Sequence, residues 1–586
     1  MKPREYAFDD FRIDVAKRRL LRAGEPVALI AKAFDLLLVL IEHRDRVLEK
    51  DELMQRLWPE SIVEESNLTQ NVFVLRKALG EAPHDHRYIV TVPRRGYRFV
   101  AEVTEVRAAD TSAAAPSPYR ARAVIEVSAV RSLAVLPFKQ LNPQSEDEYL
   151  GLGLADALIT QLSNLRQLIT RPTSSVLKYA ATAADPVAAG RELGVEALLE
   201  GHVQKAQDRL RLTVQLVSVE DGAPLWAGKF DAELTDIFEV QDTISEQVAR
   251  ALALKLNDAE QQRLTRHHTA NTGAYQLYLQ GRYYDAKLTY AGLMKAIECF
   301  NQAIALDPHF ALAYVGLAEV YFHGTTFYFA PKEALPRMKE AAAKAAAMDD
   351  TLAEAHTMLA VAKMNLDWDW AGAESAYQDA LKLDPGQAIA HLWFGWYLIL
   401  MGRHDQSIAE LQQAIQLDPL SPLAYGFLGS AWYFARRFDE SLAHAERAVE
   451  VEPHYWMAHW MVGNCDERLG RWPEAMAACE RARALNDSPI IKATLATCYA
   501  GAGKKRKAEQ LLAELQQPGS PHFVPPYYLA LICAALGETD QAFAWMDKAV
   551  AARDENLPLL KVDPRVDGLR ADPRFADLLR RVGLTE

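Results

Sequence analysis

Ser66–Leu79 reads SNLTQNVFVLRKAL, and Tyr88–Val100 reads YIVTVPRRGYRFV. In the first stretch, apolar residues recur at three- and four-residue intervals, which predicts a helix with one face against a core. These residues are Leu68, Val72, Leu75 and Leu79. The second stretch alternates on both sides of PRRG and predicts a β-hairpin, in which Gly96 is expected to permit the sharp turn. A helix followed by a hairpin is the pattern that decides the fold of the N-terminal region.

Positive charge is concentrated in this part of the chain. Ser66–Val100 contains six basic and two acidic residues, a balance of +4, although the net charge of all 586 residues is -13. A hairpin tip is too small to bury charge, and guanidinium groups pair well with phosphate oxygens. The acidic bulk argues against nucleic acid coating the whole molecule, so we expect a local basic patch instead.

The elements before this helix complete a recognisable pattern. Ala31–Glu42 and Val47–Trp58 read as helices, and Tyr6–Val15 and Arg19–Leu29 read as short strands. With LTQNVFVLRKALG, YIVTVPRRGYRFV and VLEKDELMQRLWP, residues 4–102 resemble the winged helix-turn-helix domain of OmpR/PhoB-type DNA-binding regulators. The resemblance implies that the third helix enters the major groove of DNA. It also implies that the hairpin, called the wing, reaches the minor groove or the backbone.

The candidate DNA-contacting residues lie on the polar face of the third helix and on the wing. Gln70 and Asn71 can bond an adenine edge, and Phe73 or Val74 can touch thymine methyl groups. Asn67 or its neighbour Ser66 is expected to cap the helix and leave backbone N–H groups for a phosphate. Such a helix face is often only solvated, Phe73 can belong partly to the core, and Tyr97 can anchor the hairpin instead. The full predicted set is Asn67, Thr69, Gln70, Asn71, Phe73, Val74, Arg76, Lys77, Arg94, Arg95, Tyr97 and Arg98.

A repeat organises the C-terminal half. Pro385, Pro419 and Pro453 are 34 residues apart. Alanines lie five residues before each of these prolines and before Pro308, where they let two helices approach closely; they are Ala303, Ala380, Ala414 and Ala448. The pattern resembles the tetratricopeptide repeat, which implies a helical solenoid of about eight copies. We place the repeats at residues 272–554 and an amphipathic tail that caps the last repeat at residues 555–586.

First helices of such repeats line a concave groove that binds extended peptides or proteins. The repeat phase places Trp396, Tyr433 and Trp460 at positions that commonly point into this groove. Aromatic anchors are frequent among binding hot spots, so we predict that these three residues contact a partner. Packing in the solenoid core is the alternative for each of them.

Strands and helices alternate in the middle of the chain. Ser132–Phe138, Val195–Val203 and Leu210–Val219 read as strands, and the region resembles the TolB N-terminal-like (FlgO-like) α/β domain. The predicted fold class is therefore multidomain, α+β and all-α: a winged helix-turn-helix, a central α/β domain and a tetratricopeptide-repeat α-solenoid. The domain bounds before the repeats are 1–104 for the winged helix, 105–130 for a linker and 131–256 for the α/β domain.

Motifs for catalysis or metal binding are absent from the sequence. GLGLAD at Gly151–Asp156 lacks the GxGxxG spacing, and GAGKK at Gly501–Lys505 has no strand before it. We therefore predict no catalytic residue, no cofactor and no metal site. His267 and His268 are expected in an exposed linker. The five cysteines form no CxxC pair and are expected to be buried, reduced thiols.

These features predict a bacterial, cytoplasmic transcriptional regulator rather than an enzyme. No apolar run reaches the roughly 20 residues needed to span a bilayer, so we expect no membrane contact and no membrane helix of the kind found in CadC-like regulators. Because the predicted DNA-binding unit begins at residue 4, we expect no receiver domain before it. The expected partners are double-stranded DNA, RNA polymerase or another protein, a peptide or protein in the repeat groove, and a second copy in a homodimer. The alternatives are a repeat-based adaptor whose winged helix docks on protein, and an enzyme housed in residues 131–256.

Overall fold

The computed structural model divides the chain into two compact units, Met1–Val124 and Ile125–Glu586. The described residues are 5–14, 19–22, 25–27, 31–44, 46–57, 68, 71–72, 75–76, 79, 81, 87–92, 95–101, 103–106, 130–140, 149–165, 167–180, 185–206, 209–233, 236–252, 254, 256–257, 260–261, 264, 267–329, 331–517 and 524–584.

The first unit contains two antiparallel sheets. The larger sheet has the strand order β4-β3-β2-β1-β8, and the smaller has the order β5-β7-β6. Alternating apolar residues of the first strands face a core in which Phe8 packs against Phe11, Tyr88 and Phe99. The strands are β1 (Glu5–Phe8), β2 (Phe11–Asp14), β3 (Arg19–Arg22), β4 (Glu25–Val27), β5 (Leu48–Glu49), β6 (Ile89–Val92), β7 (Gly96–Phe99) and β8 (Thr104–Val106).

Helical segments complete the first unit as the sequence predicts. Helix α1 spans Ala31–Glu42 and helix α2 spans Lys50–Leu57. The second helix begins later than the predicted Val47, because Leu48 and Glu49 pair with the hairpin strand β7. The stripe of Leu68, Val72, Leu75 and Leu79 is helical and at most 2% exposed, which confirms that this face packs on the core.

The start of the predicted linker belongs to the first sheet. Strand β8, Thr104–Val106, pairs antiparallel with β1. The predicted boundary at residue 104 therefore cuts through a strand. The reason is long-range pairing, which local composition does not report.

The middle region forms a mixed sheet covered by helices, so its predicted α/β class is confirmed. The strand order is β11-β9-β12-β13-β14, with β10 paired to β12. The strands are β9 (Ser132–Val135), β10 (Lys139–Gln140), β11 (Ile169–Thr170), β12 (Ala197–Ala206), β13 (Arg209–Ser218) and β14 (Pro224–Glu233). The helices are α3 (Tyr149–Ser163), α4 (Thr173–Val176), α5 (Pro186–Glu192) and α6 (Ile237–Ala251).

The glycines of GLGLAD serve packing in this region. Gly151 lies inside helix α3, where a Cβ atom would come 2.2 Å from the carbonyl oxygen of Phe138. The Phe138 N–H donates to the Gly151 carbonyl at 3.0 Å. The close approach of the Phe138 backbone explains why this position is glycine, and a phosphate-binding role is not needed to explain it.

Eight helix pairs follow in the described residues between Thr272 and Ala552, and we number them repeats 1–8. Ala303, Ala380, Ala414 and Ala448 are at most 1% exposed, as expected for contacts within a pair. The first helices are Thr272–Asp285, Ala311–Phe327, Ala353–Ala362, Ala388–Leu400, Pro422–Phe434, Trp456–Arg468, Pro489–Gly501 and Pro526–Leu536. The second helices are Tyr290–Leu306, Pro331–Met348, Trp370–Leu383, His404–Leu417, Phe438–Val451, Trp472–Leu485, Lys505–Leu515 and Thr539–Ala552.

The middle region is fastened to the repeats at two places. Arg282 of repeat 1 donates to the Asp156 carboxylate at 3.1 Å. The buried Arg171 donates to the carbonyl oxygens of Gln416 and Leu417 at 2.7 and 2.8 Å, at the end of the second helix of repeat 4. A cation is favoured at a helix C-terminus, so this contact stabilises the joint.

Other expectations concern cysteines, histidines and the membrane. All five cysteines are buried and free. His267 is exposed, as expected, but it has a partner: its Nε2 lies 2.9 Å from the Asp242 carboxylate. Within the described residues, no helix combines the length and the apolar composition required to cross a bilayer. The same residues contain no His/Cys/Asp/Glu cluster suited to a metal ion.

Candidate nucleic-acid interface and repeat groove

The wing is held by backbone pairing on both of its strands. Strand β7 pairs with β6 on one side and with β5 on the other. A Cβ atom on Gly96 would lie 1.8 Å from the carbonyl oxygen of Leu48. The sequence correctly singled out Gly96, but the reason is the close approach of strand β5 rather than the turn alone. The Lys50 N–H also donates to the Arg95 carbonyl at 3.1 Å, which ties helix α2 to the wing tip.

A buried carboxylate fastens the wing to the third helical segment. Glu81 accepts hydrogen bonds from the backbone N–H groups of Tyr88 and Ile89, the latter at 3.0 Å. Arg76 lies 3.6 Å from the same carboxylate and donates to Ile89 O at 2.9 Å and Thr91 Oγ1 at 2.8 Å. These contacts fix the angle between the helical segment and the hairpin. The prediction that Arg76 contacts DNA is therefore wrong, because its guanidinium bonds residues of the hairpin and Glu81.

Two further predicted contact residues belong to the core. Asn71 is only 9% exposed and Tyr97 only 5% exposed. Asn71 lies three residues after Leu68 and four before Leu75, and this spacing places it beside the apolar stripe. Tyr97 pairs with Leu48 and anchors the hairpin, which was the alternative considered for it. Neither side chain is presented to a duplex.

Arg95 and Arg98 present their charge outward from the wing. The Arg95 side chain is 66% exposed, and its nearest carboxylate, Glu49, lies 3.9 Å away and is 65% exposed. Arg98 is exposed and donates through Nε to the Arg44 carbonyl at 3.4 Å. Exposed pairs at such distances are weak, so both guanidinium groups can bond phosphate oxygens.

Seven members of the predicted set lie outside the described residues: Asn67, Thr69, Gln70, Phe73, Val74, Lys77 and Arg94. Their DNA contacts stay predictions.

Sequence reasoning missed the acids that hold this interface together. Asp9 accepts from Arg87 at 2.7 Å and from the Tyr88 hydroxyl at 3.0 Å. Burial and the hydrogen bond to Asp9 raise the pKa of Tyr88 to about 12. A signal existed for Glu81, since a carboxylate just after a helix C-terminus is unfavourable unless it has specific donors.

The repeat groove does not present all three predicted aromatic residues. Tyr433 is 2% exposed and packs on Phe434 and Phe438, so its predicted partner contact is wrong. Trp396 and Trp460 are half-buried. Trp396 lies 4.9 Å from the Phe427 ring, and Trp460 Nε1 donates to Thr494 Oγ1 of the next repeat at 2.8 Å. Partner contacts of these two residues stay predictions.

Family models match three parts of the chain. The model described as "Transcriptional regulatory protein, C terminal" matches residues 24–99. The model described as "HilA/YgeH-like transcriptional regulator, second domain" matches residues 128–247. Tetratricopeptide-repeat models match residues 369–431 and 428–489. The middle region is thus matched by a HilA-type domain, and its resemblance to the TolB N-terminal-like domain stays a prediction.

Curated relatives include regulators and one protein named as an enzyme. The chain is 31% identical to "Putative adenylate cyclase 3" of Rhizobium meliloti over 33% of each chain. It therefore spans a third of that relative's length. It is 24% identical to "Transcriptional regulator HilA" of Salmonella paratyphi A over 69% of each chain. It is 37% identical to "Transcriptional activator CadC" of Escherichia coli over 14% of this chain and 17% of CadC. The chain thus carries an OmpR/PhoB-type transcriptional regulatory domain and tetratricopeptide repeats, and it is similar to the HilA regulator over 69% of its length and to CadC over 14% of its length.

Proposed function

We propose that this protein is a sequence-specific DNA-binding transcriptional regulator of the cytoplasm. The third helical segment reads bases in the major groove, and the wing contacts the adjacent minor groove or backbone. The middle domain and the repeats sense a protein or a small ligand and pass the signal to DNA binding. Candidate partners are RNA polymerase or another protein in the repeat groove, and a second copy of the chain.

One observation carries the DNA-binding part of the proposal. Arg95 and Arg98 are exposed on a hairpin (β6 and β7) whose strand β7 is also paired with β5 on its other side. A rigid hairpin presents its guanidinium groups to phosphates with little loss of backbone entropy on binding. The same segment lies within residues 24–99, which match the transcriptional regulatory model.

The test uses the full chain and a matched pair of arginine variants. DNA is first selected from a random duplex pool, and its affinity for the wild type is measured across salt concentrations. Because each phosphate contact releases counterions, Arg95→Ala should lower the magnitude of the log–log salt slope by about 0.9. Arg580→Ala removes an equally exposed arginine, also 66%, from the terminal helix and should leave the slope unchanged.

The outcomes separate the proposal from the adaptor alternative. A regulator enriches particular duplexes and shows the slope change only for the wing variant. If the wild type enriches no duplex, or if the wild type and both arginine variants bind with the same salt slope, the protein is not a DNA-binding regulator of this kind. An adaptor would give the first of these results.

Sensing by the repeats is supported by their partly exposed aromatic residues. Trp396 is half-buried against Phe427, which leaves part of its indole available to a partner. Trp396→Ala should weaken capture of a partner from the source cell without changing the DNA salt slope. A matched change at the buried Tyr433 would test only folding.

A further inference from the structure

The end of the chain does more than cap the last repeat. Leu557–Leu584, which we call the strap, runs from repeat 8 back over earlier repeats. Its 3₁₀ turns, Leu557–Lys561 and Pro564–Leu569, precede the terminal helix Pro573–Val582. The expectation of a simple cap on the last repeat is therefore incomplete.

Contacts of the strap reach repeats 3, 5 and 6. The Trp370 indole of repeat 3 donates to the Val582 carbonyl at 2.9 Å. Arg436, just after the first helix of repeat 5, donates twice to Asp567, at 2.6 and 2.8 Å. Arg565 donates to Asn464, in the first helix of repeat 6, at 3.3 Å. Asn464 and Tyr527, which bond Arg565 and Asp563, lie on first helices, and first helices line the groove of such repeats, so this part of the strap lies in the groove that sequence analysis assigned to a partner.

The anchor of the strap is a buried ion pair. The side chains of Asp563 and Arg565 are 0% and 5% exposed and lie 2.7 Å apart. Asp563 also accepts from the Tyr527 hydroxyl of repeat 8 at 3.0 Å. The groove therefore already recognises an Asp-Pro-Arg segment, in which an acid and a guanidinium enter together.

The fit of the strap to the earlier repeats is imperfect. Near the anchor, Tyr433 Oη, Glu467 Oε2 and Arg468 Nε are buried without a hydrogen-bond partner among the described residues. Leaving buried polar atoms unpaired costs free energy, and so does taking two charges out of water. Although Leu560 and Val566 of the strap are fully buried, the hydrogen bonds to repeats 3, 5 and 6 are polar contacts, and the Arg436–Asp567 pair is 44% exposed on each side. Such contacts can be exchanged for water or for another peptide.

Contacts to repeat 8 differ, because they are numerous and partly apolar. Arg574 lies over the Phe543 ring at 4.1 Å and pairs with Asp540 at 2.9 Å, while Arg581 pairs with Asp547 at 2.6 Å. The part of the strap before the terminal helix can therefore leave repeats 5 and 6 while the terminal helix stays on repeat 8.

We propose that the strap is an autoinhibitory occupant of the repeat groove, which a protein partner must displace to bind. The proposal rests on the proposed function in one respect, namely that a protein binds this groove. The partner segment that fits carries an acid and an arginine two residues apart, flanked by apolar residues, as the strap does.

Binding of the strap peptide in trans tests the proposal on the full chain. The probe is a fluorescent synthetic peptide of residues 555–586. A chain carrying Asp563→Ala and Asp567→Ala has a weakened strap and an unchanged groove, so it should bind the probe at least 10-fold more tightly than the wild type. Asp577→Ala is the control, because among the described residues Asp577 pairs with Arg580 and Arg581 of its own helix, and its exposure matches that of Asp567. A probe with Asp563→Ala should not bind.

Hydrogen exchange of the wild-type chain gives a second readout that needs no variant. A displaceable strap exchanges its amides through a local opening, faster than Trp456–Arg468 in repeat 6. Equal protection of the strap and of that helix would overturn the proposal, as would a folded double variant that binds the probe no better than the wild type. Neither measurement involves DNA, so their failure leaves the salt-slope test of DNA binding intact.

Discussion

Two short stretches of this chain are rich in arginine and use it in opposite ways. Thr91–Val100 has three arginines and no acid, whereas Val562–Arg581 has five arginines interleaved with four aspartates. On the wing, Arg95 is 66% exposed with its nearest carboxylate at 3.9 Å. In the strap, Arg565 is 5% exposed and lies 2.7 Å from Asp563.

The spacing of the acids explains this difference. In both Asp-Pro-Arg segments of the strap, the aspartate accepts the backbone N–H of the arginine two residues later, at 2.8 and 3.0 Å. The arginine side chain then folds back onto the same carboxylate. The wing offers no acid at that spacing, so its charge is left for an external anion. Neutralised arginine builds an internal joint, and the exposed, weakly paired arginines of the wing carry the proposed binding surface.

The largest expected effect comes from breaking the buried pair. Arg565→Ala leaves Asp563 buried without its cation, which should lower the free energy of unfolding by about 3–5 kcal/mol. Denaturant titration followed by tryptophan fluorescence measures this change. Arg574→Ala is the matched control, since Arg574 of the other Asp-Pro-Arg motif is 47% exposed and its loss should lower the stability much less. Equal losses in the two variants would contradict the contrast between buried and exposed copies.

A glycine gives the largest expected effect within the wing. Gly96→Ala places a Cβ atom against the Leu48 carbonyl oxygen, so it should destabilise the first unit by about 1–3 kcal/mol and weaken DNA binding. Thermal unfolding and DNA titration measure the two effects. Gly426→Ala is the control, because nothing lies within 4 Å of its added Cβ atom and the helix gains about 1 kcal/mol of propensity. A wing that tolerates the Gly96→Ala substitution would show that strand β5 is not tightly paired.

Acid should loosen the strap. Burial raises the pKa of Asp563, but Arg565 outweighs burial and holds it below its ordinary value. The hydrogen bond from Arg574 lowers the pKa of Asp572 to about 2. A lowered pKa means that the stabilisation is complete above the unfolded value of about 3.9 and is lost as pH falls from there toward 2.

At pH 3, Asp563 should contribute less stability than at pH 7, because its lowered pKa favours the charged form only in the folded state. Stability measured at both pH values in the wild type and in the Asp563→Asn, Arg565→Met double variant isolates this contribution. The double variant should lose less on acidification. An equal loss would show that other carboxylates carry the acid dependence.

The smallest expected effect concerns the exposed end of the strap. Arg436→Ala removes a bidentate pair that is 44% exposed on each side, so it should cost about 0–1 kcal/mol of global stability. Hydrogen exchange should nevertheless show faster exchange within Pro564–Leu569. A loss of several kcal/mol would show that this contact is part of the core rather than a releasable contact.

Much of the fold could be read from local patterns. The stripe from Leu68 to Leu79, the hairpin around PRRG and the alanines of the repeat each report a period or spacing set by one helix or one strand. The same reasoning failed at Asn71, whose position beside the stripe puts it among buried neighbours. It failed at Arg76 and Tyr97 because their partners, Glu81 and Leu48, come from other elements. The prediction for Tyr433 was wrong because the direction of its side chain was inferred from its position in the repeat. The residues packed around it, which decide that direction, were not considered.

The sequence by itself determined the winged helix, the α/β region and the repeats, since periodicity and turn chemistry are local properties. Only the tertiary structure decided which arginines stay exposed, why position 96 is glycine, and where the last residues of the chain lie. Those outcomes depend on contacts such as Trp370 with Val582 and Arg171 with Leu417, which join residues more than 200 positions apart. Contacts at that separation are set by how whole elements pack, and no local window of sequence contains both partners.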